Sequence, residues 1–193
     1  VLALVEREGR RYPLQLRWGL IPHWTAAETP LPSWINARAE TVATRPAFRD
    51  AFARHRCLVL ASGFYEWQAP SGASRRKIPH WIARRDGQPF AMAGLWARWR
   101  PPSSAPVESC AIITTAANDC VREIHARMPV ILREPAENAW LSSALDGQLA
   151  ALTALLEPIG AEDLLARPVS TAVNSAKNEG PELIELSDDP QLG

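Results

Sequence analysis

The sequence predicts an α+β fold built around a mainly antiparallel β-sheet. Many short apolar segments end at Gly, Pro or polar turn residues, which is typical of strands. Only a few segments repeat their apolar residues at helical spacing, and these do not alternate regularly with the strands as a parallel sheet would require. The chain has 193 residues, of which 47% are hydrophobic and 22% charged. Because this length suits one globular core better than two, we expect residues 1–193 to form a single domain.

Strands account for most of the predicted structure. Each is marked by apolar alternation or by a short apolar run between turn-forming residues. In chain order the predicted strands are Val1–Val5, Tyr12–Leu20, Cys57–Ser62, Phe64–Gln68, His80–Arg85, Phe90–Trp99, Ser109–Thr115, Met128–Leu132, Leu164–Val169 and Glu182–Leu186. Asp86-Gly87 suits a tight turn, so the strands on either side of it are predicted to form a β-hairpin.

Three helices and three loops fill the remaining intervals. The first helix has Thr44 as its predicted N-cap and Pro46 in its first turn. Its residues at helical spacing are expected to face the core; they are Phe48, Ala51, Phe52 and His55. Two more helices are predicted over 134–145 and 148–156, the latter ended by Pro158 and Gly160. The predicted loops are Pro22–Pro32, Ala69–Lys77 and Pro101–Pro106.

We expect the protein to be cytoplasmic. No apolar stretch approaches the ~18 residues of a membrane span, and the N-terminus lacks the residue order of a secretory signal.

The three cysteines, Cys57, Cys110 and Cys120, include no CxxC pair. We therefore expect buried thiols rather than disulfides or zinc ligands. Because the chain begins with Val1 in a predicted hairpin, we also expect that a preceding segment of the natural protein is missing.

Charge is distributed unevenly along a chain whose net charge is zero. Residues 1–100 hold sixteen Lys or Arg against seven Asp or Glu, whereas residues 101–193 hold five against fourteen. A basic half can mark a surface that binds a polyanion. Arginine, which supplies all but two of the cations, suits bidentate phosphate contact, although a high-GC codon bias would produce the same excess. The eight tryptophans fit either a buried β-rich core or a stacking surface for single-stranded nucleic acid.

Glu66 is the most unusual acid in the sequence. It lies between Phe64-Tyr65 and Trp67, directly after the apolar run 57–61. A carboxylate at the end of a buried strand is costly to desolvate unless it is paired or used, so its pKa is expected to move toward neutral pH. Glu66 is therefore a candidate proton-transfer group. The alternative is an acid of an edge strand that points to solvent.

Two other polar clusters interrupt apolar sequence in the same way. One contains Asn36, Arg38 and Glu40, and the other contains His125 and Arg127 just before the run 128–132. If folding brings these clusters to one rim with Glu66, then an acid, an imidazole and an amide form a general acid–base set. The alternative for a lone histidine is a structural role.

An attacking group is harder to find in the sequence. The three cysteines lack an electropositive, exposed setting, and Ser62 lacks the Gly-x-Ser-x-Gly pattern of a nucleophile elbow. The four histidines show no metal-ligand spacing, and no Gly-rich phosphate loop is present. We therefore expect neither a metal nor a cofactor, and the chain holds acid–base groups without an evident nucleophile.

Six motifs follow one another along the chain. They are Trp18-Gly19-Leu20-Ile21-Pro22 with Trp24, Ile35-Asn36-Ala37-Arg38-Ala39-Glu40-Thr41, Gly63-Phe64-Tyr65-Glu66-Trp67, Ile113-Thr114-Thr115-Ala116-Ala117-Asn118, Ile124-His125-Ala126-Arg127-Met128-Pro129, and Pro168-Val169-Ser170 with Val173-Asn174-Ser175-Ala176-Lys177-Asn178. In this order they resemble the SOS response-associated peptidase (SRAP) family, whose members shield abasic sites in single-stranded DNA. The resemblance runs from Arg17 to about Ile184, and although each motif alone is weak, the ordered set is specific.

The resemblance implies a barrel-like sheet core and a specific chemistry. In the family, removal of the initiator Met exposes an N-terminal Cys, whose amine and thiol condense with the ring-opened abasic deoxyribose to a thiazolidine. Asn36 would be the active-site amide, Glu66 the carboxylate for ring opening and Met removal, and His125 the imidazole at the sugar. Implied DNA-contacting or supporting residues are Trp18, Pro22, Trp24, Arg38, Thr114, Arg127, Asn174 and Lys177. The implied partner is single-stranded DNA with abasic sites, and the protein is expected to be a monomer, associated with the nucleoid in a bacterium.

The sequence departs from the family at its start. The Met-Cys-Gly-Arg start is absent, and Cys57, Cys110 and Cys120 lie at none of the family's positions, so this chain alone is expected to bind DNA without forming the crosslink. Two alternatives remain open. One is a noncatalytic homologue that binds single-stranded DNA, and the other is a glycosidase-like pair of Glu40 and Glu66 facing each other across a cleft about 5–10 Å wide.

Overall fold

A computed structural model describes residues 1–26, 33–70, 76–102 and 105–186. Parts of the three loops predicted at Pro22–Pro32, Ala69–Lys77 and Pro101–Pro106 therefore lie outside the described residues. The strands are β1 (Leu2–Arg7), β2 (Arg10–Gln15), β3 (Arg17–Trp18), β4 (Asn36–Arg38), β5 (Arg56–Ala61), β6 (Phe64–Gln68), β7 (Ile78–Arg84), β8 (Phe90–Trp99), β9 (Val107–Ala116), β10 (Arg127–Pro129), β11 (Ile131–Leu132) and β12 (Leu164–Pro168). The helices are α1 (Arg49–Arg54), α2 (Ala136–Leu141) and α3 (Leu149–Ala154), and short 3-10 turns cover Ser143–Leu145, Ala161–Asp163, Thr171–Asn174 and Pro181–Ile184.

Two compact units, each assembled from three segments, make up the chain. Unit 1 comprises residues 1–61, 90–115 and 129–158, and unit 2 comprises residues 62–89, 116–128 and 159–193. Neither unit is a continuous stretch of sequence. The expectation that the whole chain is one domain remains a prediction.

Unit 1 contains most of a nine-stranded, mainly antiparallel sheet. Its strands follow the order β9-β8-β5-β1-β2, with β11 on β8 and the short strands β3 and β4 parallel to β9. The ninth strand, β10, carries the chain from unit 2 into unit 1. Within the described residues the strand order is not cyclic, so the sheet is not closed, although its core is barrel-like. The predicted α+β class with a mainly antiparallel, barrel-like sheet and peripheral helices is confirmed.

The three helices of unit 1 cover an apolar core on this sheet. Phe48, Phe52 and Trp140 are almost fully buried, and the Phe52 and Trp140 rings lie 5.9 Å apart. One cation, Arg56, is also buried. It donates to the carbonyl oxygens of Ala53, Trp140 and Ser142 and to the carboxylate of Asp146. Because a buried charge is costly unless it is fully bonded, these contacts explain why an arginine is tolerated there.

Unit 2 is built on a three-stranded antiparallel sheet in the order β12-β7-β6. The pairing of β6 with β7 places Glu66 opposite His80 and Tyr65 opposite Trp81. On the other edge of β7, the pairing with β12 places Arg167 opposite Trp81. Gly63 precedes β6 because a side chain there would collide with the Trp81 ring. In the described part of the chain, no helix is long and apolar enough to cross a membrane.

Several predictions about individual elements are wrong. The Asp86-Gly87 turn exists, but it does not close a hairpin, because β7 pairs with β6 and β12 whereas β8 pairs with β5 and β9. The predicted strand 12–20 is broken at Leu16, and the predicted strand at 182–186 is a 3-10 turn followed by a single bridge at Leu186. Phe48, Ala51 and Phe52 are buried as predicted, but His55 is exposed.

The first helix also begins later than predicted. Thr44 does not cap it, since its hydroxyl donates to the carbonyl oxygen of Thr41 within a series of turns, and α1 begins at Arg49. The other two helices are shorter than predicted at both ends, each ending in a tight turn.

Candidate functional site

Strand β6 divides its side chains between the two faces of the unit 2 sheet. Successive residues of a strand point to opposite faces, so Glu66 and Gln68 share one face while Tyr65 and Trp67 share the other. On the Glu66 face, the side-chain amide of Gln68 donates to the carbonyl oxygen of Glu123, 3.1 Å away. The segment 117–126 is thereby joined to the strand that carries Glu66.

Asn118 fixes the turn that carries His125. Its side-chain oxygen accepts the amide N–H groups of Cys120 at 3.1 Å and Val121 at 3.2 Å, and its side-chain nitrogen donates to the carbonyl oxygen of Ile159 at 2.9 Å. The His125 amide in turn donates to the Val121 carbonyl oxygen, and the Ala117 amide closes the segment by donating to the Ala126 carbonyl oxygen. The position of His125 thus depends on an amide seven residues earlier.

This segment brings His125 to Glu66. The distance between His125 Nδ1 and Glu66 Oε1 is 3.8 Å, which is within ion-pair range but too long for a direct hydrogen bond. The Glu66 side chain is 25% exposed, so it is mostly removed from water. Burial raises the pKa of Glu66, against the opposing effects of His125, the Trp67 amide N–H and Lys77. The pair therefore combines a carboxyl group that ionises less readily than usual with an imidazole close enough to exchange a proton through one small movement or a water molecule.

The His125 ring has backbone partners for two protonation states. Its Nδ1 lies 3.1 Å from the Arg127 amide nitrogen and 2.9 Å from the Arg127 carbonyl oxygen. With the proton on Nε2, Nδ1 accepts the Arg127 N–H, and with a proton on Nδ1 the ring donates to the carbonyl oxygen. The imidazole can therefore gain or lose a proton without losing its anchor, which suits a proton-transfer group.

The opposite face of β6 holds the segment that follows β12. The Trp67 indole N–H donates to the side-chain oxygen of Asn174 at 2.7 Å, and the Tyr65 hydroxyl donates to the Leu183 carbonyl oxygen at 3.3 Å. Asn174 and Lys177 are both exposed. Asn174 thus has a structural bond through its oxygen, while both residues remain exposed at the surface of unit 2.

His80 is a residue that the sequence reasoning did not single out. It lies directly opposite Glu66 in the register of β6 and β7, and such cross-strand neighbours have Cβ atoms about 4.5–5.5 Å apart. Its Nδ1 is 3.1 Å from the Ile78 carbonyl oxygen, and burial lowers the pKa of His80 against the opposing effect of that contact. Only the pairing of β6 with β7 reveals this neighbour, since fourteen residues separate the two in sequence.

Unit 1 presents the polar cluster of the second motif on a short strand. In β4, Asn36 and Arg38 are exposed while Ala37 between them is fully buried, as strand alternation requires. The strand lies parallel to β9 with Arg38 opposite Thr114. Glu40 follows in an exposed turn and belongs to unit 1.

Two exposed tryptophans of unit 1 offer stacking surfaces. Trp18 is 46% exposed and its indole N–H donates to the carbonyl oxygen of Ile35, the residue before Asn36. Trp24 is 54% exposed. By contrast, Pro22 and Thr114 are buried. These two side chains offer almost no surface to a ligand. Of the two roles that the resemblance implies, contacting DNA or supporting residues that do, only the supporting role suits Pro22 and Thr114.

None of the cysteines has the environment of a nucleophile. Cys57 and Cys110 are fully buried, and burial raises the pKa of both thiols, that of Cys110 to about 11. Cys120 is partly buried in the turn that precedes His125. Among the described residues, no group of three or more His, Cys, Asp or Glu side chains is arranged to hold a metal ion.

The structure thus brings Glu66 and His125 together, with Arg127 beside the imidazole, all in unit 2. In unit 1 it brings together Asn36 and Arg38, with Trp18 bonded next to them. The joint action of Asn36 with the other two remains a prediction, as does a pairing of Glu40 with Glu66. What the geometry of unit 2 offers is general acid–base chemistry.

Comparison with known proteins places the chain in a family. The sequence profile named SOS response associated peptidase (SRAP) matches residues 1–176. The abasic site processing protein YoqW of Bacillus subtilis is 43% identical over 171 residues, which cover 89% of this chain and 75% of that protein. The abasic site processing protein YedK of Escherichia coli is 33% identical over 191 residues, or 96% of this chain and 80% of the relative.

Solved structures agree with the sequence comparison. A protein from Bacteroides thetaiotaomicron superposes with a TM-score of 0.82 at 30% identity, covering 95% of this chain and 80% of that one. A protein from Bordetella bronchiseptica gives a TM-score of 0.73 at 30% identity over 88% of this chain and 83% of its own. A family profile over nearly the whole chain, relatives of 33% and 43% identity and the shared fold lead to one conclusion: this chain is a member of the SRAP family.

Proposed function

We propose that this protein binds single-stranded DNA at abasic sites and processes them, with Glu66 and His125 as its acid–base pair. The observation that carries the proposal is the half-buried Glu66 carboxyl group, whose pKa burial raises, 3.8 Å from the His125 ring. Membership of the SRAP family and relatives that are named abasic site processing proteins support the substrate.

The proposed chemistry begins with opening of the abasic sugar. The closed sugar is a hemiacetal, and opening it requires loss of the proton from the anomeric hydroxyl and gain of a proton by the ring oxygen. A carboxyl group with a raised pKa keeps its proton closer to neutral pH, which suits it to donate, and the neighbouring imidazole can accept. Glu66 and His125 together supply both transfers, and the product is a free aldehyde.

The crosslinking step needs an amine and a thiol on one residue. The amine adds to the aldehyde and water leaves, which gives an imine; the thiol then adds across the C=N bond and its proton passes to nitrogen, which closes a thiazolidine. We propose that an N-terminal cysteine encoded upstream of Val1 supplies both groups, because the nitrogen of an internal cysteine is part of a peptide bond and Cys57 and Cys110 are also buried. Removal of the initiator Met that precedes such a cysteine would use the same Glu66 carboxyl group.

The remaining predicted residues would hold the strand. Arg38, and beside His125 also Arg127, would contact phosphates, for which guanidinium groups are suited. Trp18 and Trp24 would stack on splayed bases. Asn36 would orient the sugar, while Asn174 and Lys177 would contact the backbone.

The direct test uses the natural full-length protein, translated from its own start codon. We expect it to form a denaturation-resistant complex with single-stranded DNA that carries an abasic site, and we expect Cys→Ala at the mature N-terminus to abolish that complex. If the full-length protein binds the DNA but yields no such complex, the crosslinking proposal is wrong and the noncatalytic single-strand binder is favoured. Hydrolysis of a glycoside that needs both Glu40 and Glu66 would instead favour the glycosidase alternative.

Two variants separate chemistry from binding. Glu66→Gln is expected to slow crosslinking by about 10²-fold or more, as loss of an acid–base group does, while leaving salt-dependent DNA binding largely intact. Arg38→Ala should instead weaken DNA binding and reduce its salt slope by about one, while the crosslinking rate of bound DNA stays largely intact. Glu179→Gln, which removes an exposed acid of the same unit as Glu66, is the matched control. Equal loss of binding and crosslinking in Glu66→Gln would show that the acid is structural.

A further inference from the structure

A second concave site lies in unit 2, on the sheet face opposite to that of Glu66. It is a cavity of about 340 Å³ between β7, β12 and the turn 181–184. Arg167 and Leu165 of β12 lie opposite Trp81 and Ala83 of β7, so all four side chains share this face. Glu66 and His80 belong to the other face, because they pair with each other one position away from the Tyr65–Trp81 pair. Nothing in the acid–base chemistry uses the cavity.

Among the residues that the structure describes, the wall of the cavity carries three arginines and no acid. Arg84, Arg85 and Arg167 line it. Two of them are committed elsewhere: Arg84 pairs with Asp86, and Arg85 donates to the carbonyl oxygens of Glu162 and Leu164. The third differs, because the Arg167 Nε–H is buried and has no hydrogen-bond partner in the described part of the chain. Since buried donors are almost always bonded, an unpaired guanidinium N–H at a cavity points to a missing acceptor.

Apart from the arginines, Ser62 and Gly87, the described residues of the wall have apolar side chains. The Trp81 ring is closely packed on two sides. Its centroid lies 4.8 Å from that of Tyr65, and the ring occupies the space where a side chain of residue 63 would lie. Leu165, 43% exposed, and Ile184 complete this side. A flat apolar group can therefore lie against a fixed indole while an anionic group meets the arginines.

We propose that this cavity binds a nucleoside monophosphate group. A phosphate oxygen can accept from the unpaired Nε–H of Arg167, and a phosphate suits the planar guanidinium fork. Arg84 and Arg85 also line the cavity, but because their guanidinium groups are bonded elsewhere they add positive charge rather than free donors. The base supplies the flat face that Trp81 and Leu165 are placed to cover. The volume lies at the lower end of the range for small-molecule sites, about 300–1,000 Å³, which suits one nucleotide and excludes a peptide. The same group can come from a free mononucleotide or from one residue of a DNA strand.

The first measurement follows the wild-type chain by NMR with isotope labelling. The probe is deoxyadenosine 5′-monophosphate, with inorganic phosphate, deoxyadenosine and benzoate as comparators. We expect saturable shifts of the Trp81 indole and Arg167 Nε–H signals with the nucleotide, weaker shifts with phosphate alone, and none with deoxyadenosine. No shift of either signal at millimolar nucleotide overturns the proposal. Benzoate binding as tightly as the nucleotide overturns the assignment to phosphate.

Variants then test the role of Arg167. Arg167→Gln is expected to weaken nucleotide binding about tenfold or more, the effect of losing a charge-assisted contact. Arg167→Lys, which keeps the charge but loses the fork, should give an intermediate loss. Arg10→Gln removes an exposed arginine of the other unit and should leave binding unchanged. Unchanged affinity in folded Arg167→Gln or Arg167→Lys overturns the proposal.

The source of the nucleotide is decided with oligothymidylate. If the site holds a nucleotide of a bound strand, Arg167→Gln also weakens strand binding and lowers its salt slope by about one. If the site serves free nucleotides, only mononucleotide binding falls. Glu66→Gln leaves mononucleotide binding unchanged in either case, so failure of the abasic-site chemistry and failure of this site can be told apart.

Discussion

Replacement of Asn118 by alanine should loosen the turn that holds His125 before it affects the rest of the protein. Alanine removes the acceptor for the Cys120 amide and the donor to the Ile159 carbonyl oxygen. The Val121 amide loses less, because it also donates to the backbone oxygen of residue 118. Two full hydrogen bonds at about 0.5–1.5 kcal/mol each give an expected loss of about 2 kcal/mol, similar to the loss of a strong helix cap.

The assay is native-state hydrogen exchange. A loss of about 2 kcal/mol in local stability increases opening about 30-fold, so exchange of the Val121 and His125 amides should speed up by that factor in Asn118→Ala. The crosslinking rate of the full-length protein should fall with it, because His125 is no longer held at Glu66. Asn118→Asp keeps the acceptor oxygen and should recover about half of the lost protection.

Asn138 provides the matched control, since it is an exposed asparagine of unit 1. Asn138→Ala should change the free energy of local opening at the Val121 and His125 amides by less than about 0.5 kcal/mol, as most surface substitutions do. If Asn118→Ala lowers global stability while these two amides exchange at the wild-type rate, Asn118 does not hold the turn. In that case the turn is held by its own backbone.

Three further substitutions test other parts of the structure. Because burial raises the pKa of Glu66, ionisation of this carboxyl group costs stability, and the cost develops as the pH rises from the unfolded pKa through the folded pKa. Glu66→Gln should therefore raise the Tm at pH 7, and this gain should vanish near pH 4, where the carboxyl group is protonated; scanning calorimetry at the two pH values measures the difference. Arg56→Met leaves Asp146 and several carbonyl groups without their buried partner, so the free energy of unfolding in urea should fall by about 3–5 kcal/mol; a fall below 1 kcal/mol would contradict the role of the contacts. Gly63→Ala should cost about 1–3 kcal/mol by thermal denaturation, because its methyl group would meet the Trp81 ring, and Trp81→Phe in the same chain should reduce that cost.

Local sequence signals predicted the strand of Glu66 closely. The predicted limits Phe64–Gln68 are those of β6, because Gly63 and the polar residues after Gln68 mark both ends. The core positions Phe48, Ala51 and Phe52 were also evident from their spacing. In each case the information lies within a few residues, where propensity and periodicity act.

Features that depend on distant pairing could not be predicted in the same way. Asp86-Gly87 has the turn that its sequence favours, with Gly87 at a φ of 72°, yet the strands on either side join different sheets. Turn chemistry specifies the reversal of the chain, whereas burial of whole strands selects their partners. His80 was missed for the same reason, since only the pairing of β6 and β7 places it opposite Glu66.

Side-chain competition explains the late start of the first helix. Thr44 has the residue type of an N-cap, but its hydroxyl donates back to the Thr41 carbonyl oxygen. Such local bonds compete with capping, and sequence alone does not show which of them is made. At the site, the distance between Glu66 and His125 likewise depends on the Asn118 turn, which no pattern in the sequence announces.

The division of unit 2 into three separated segments has a consequence for the order in which the protein matures. Glu66 leaves the ribosome long before its sheet can be completed, because β12 and the Asn174 contact to Trp67 come from the last segment of the chain. Pairings between such distant segments are slow to form, since loop closure must precede them. During synthesis β6 and β7 therefore emerge together but remain without β12 and without the Asn174 contact, so the sheet that carries Glu66 is completed only near the end of translation.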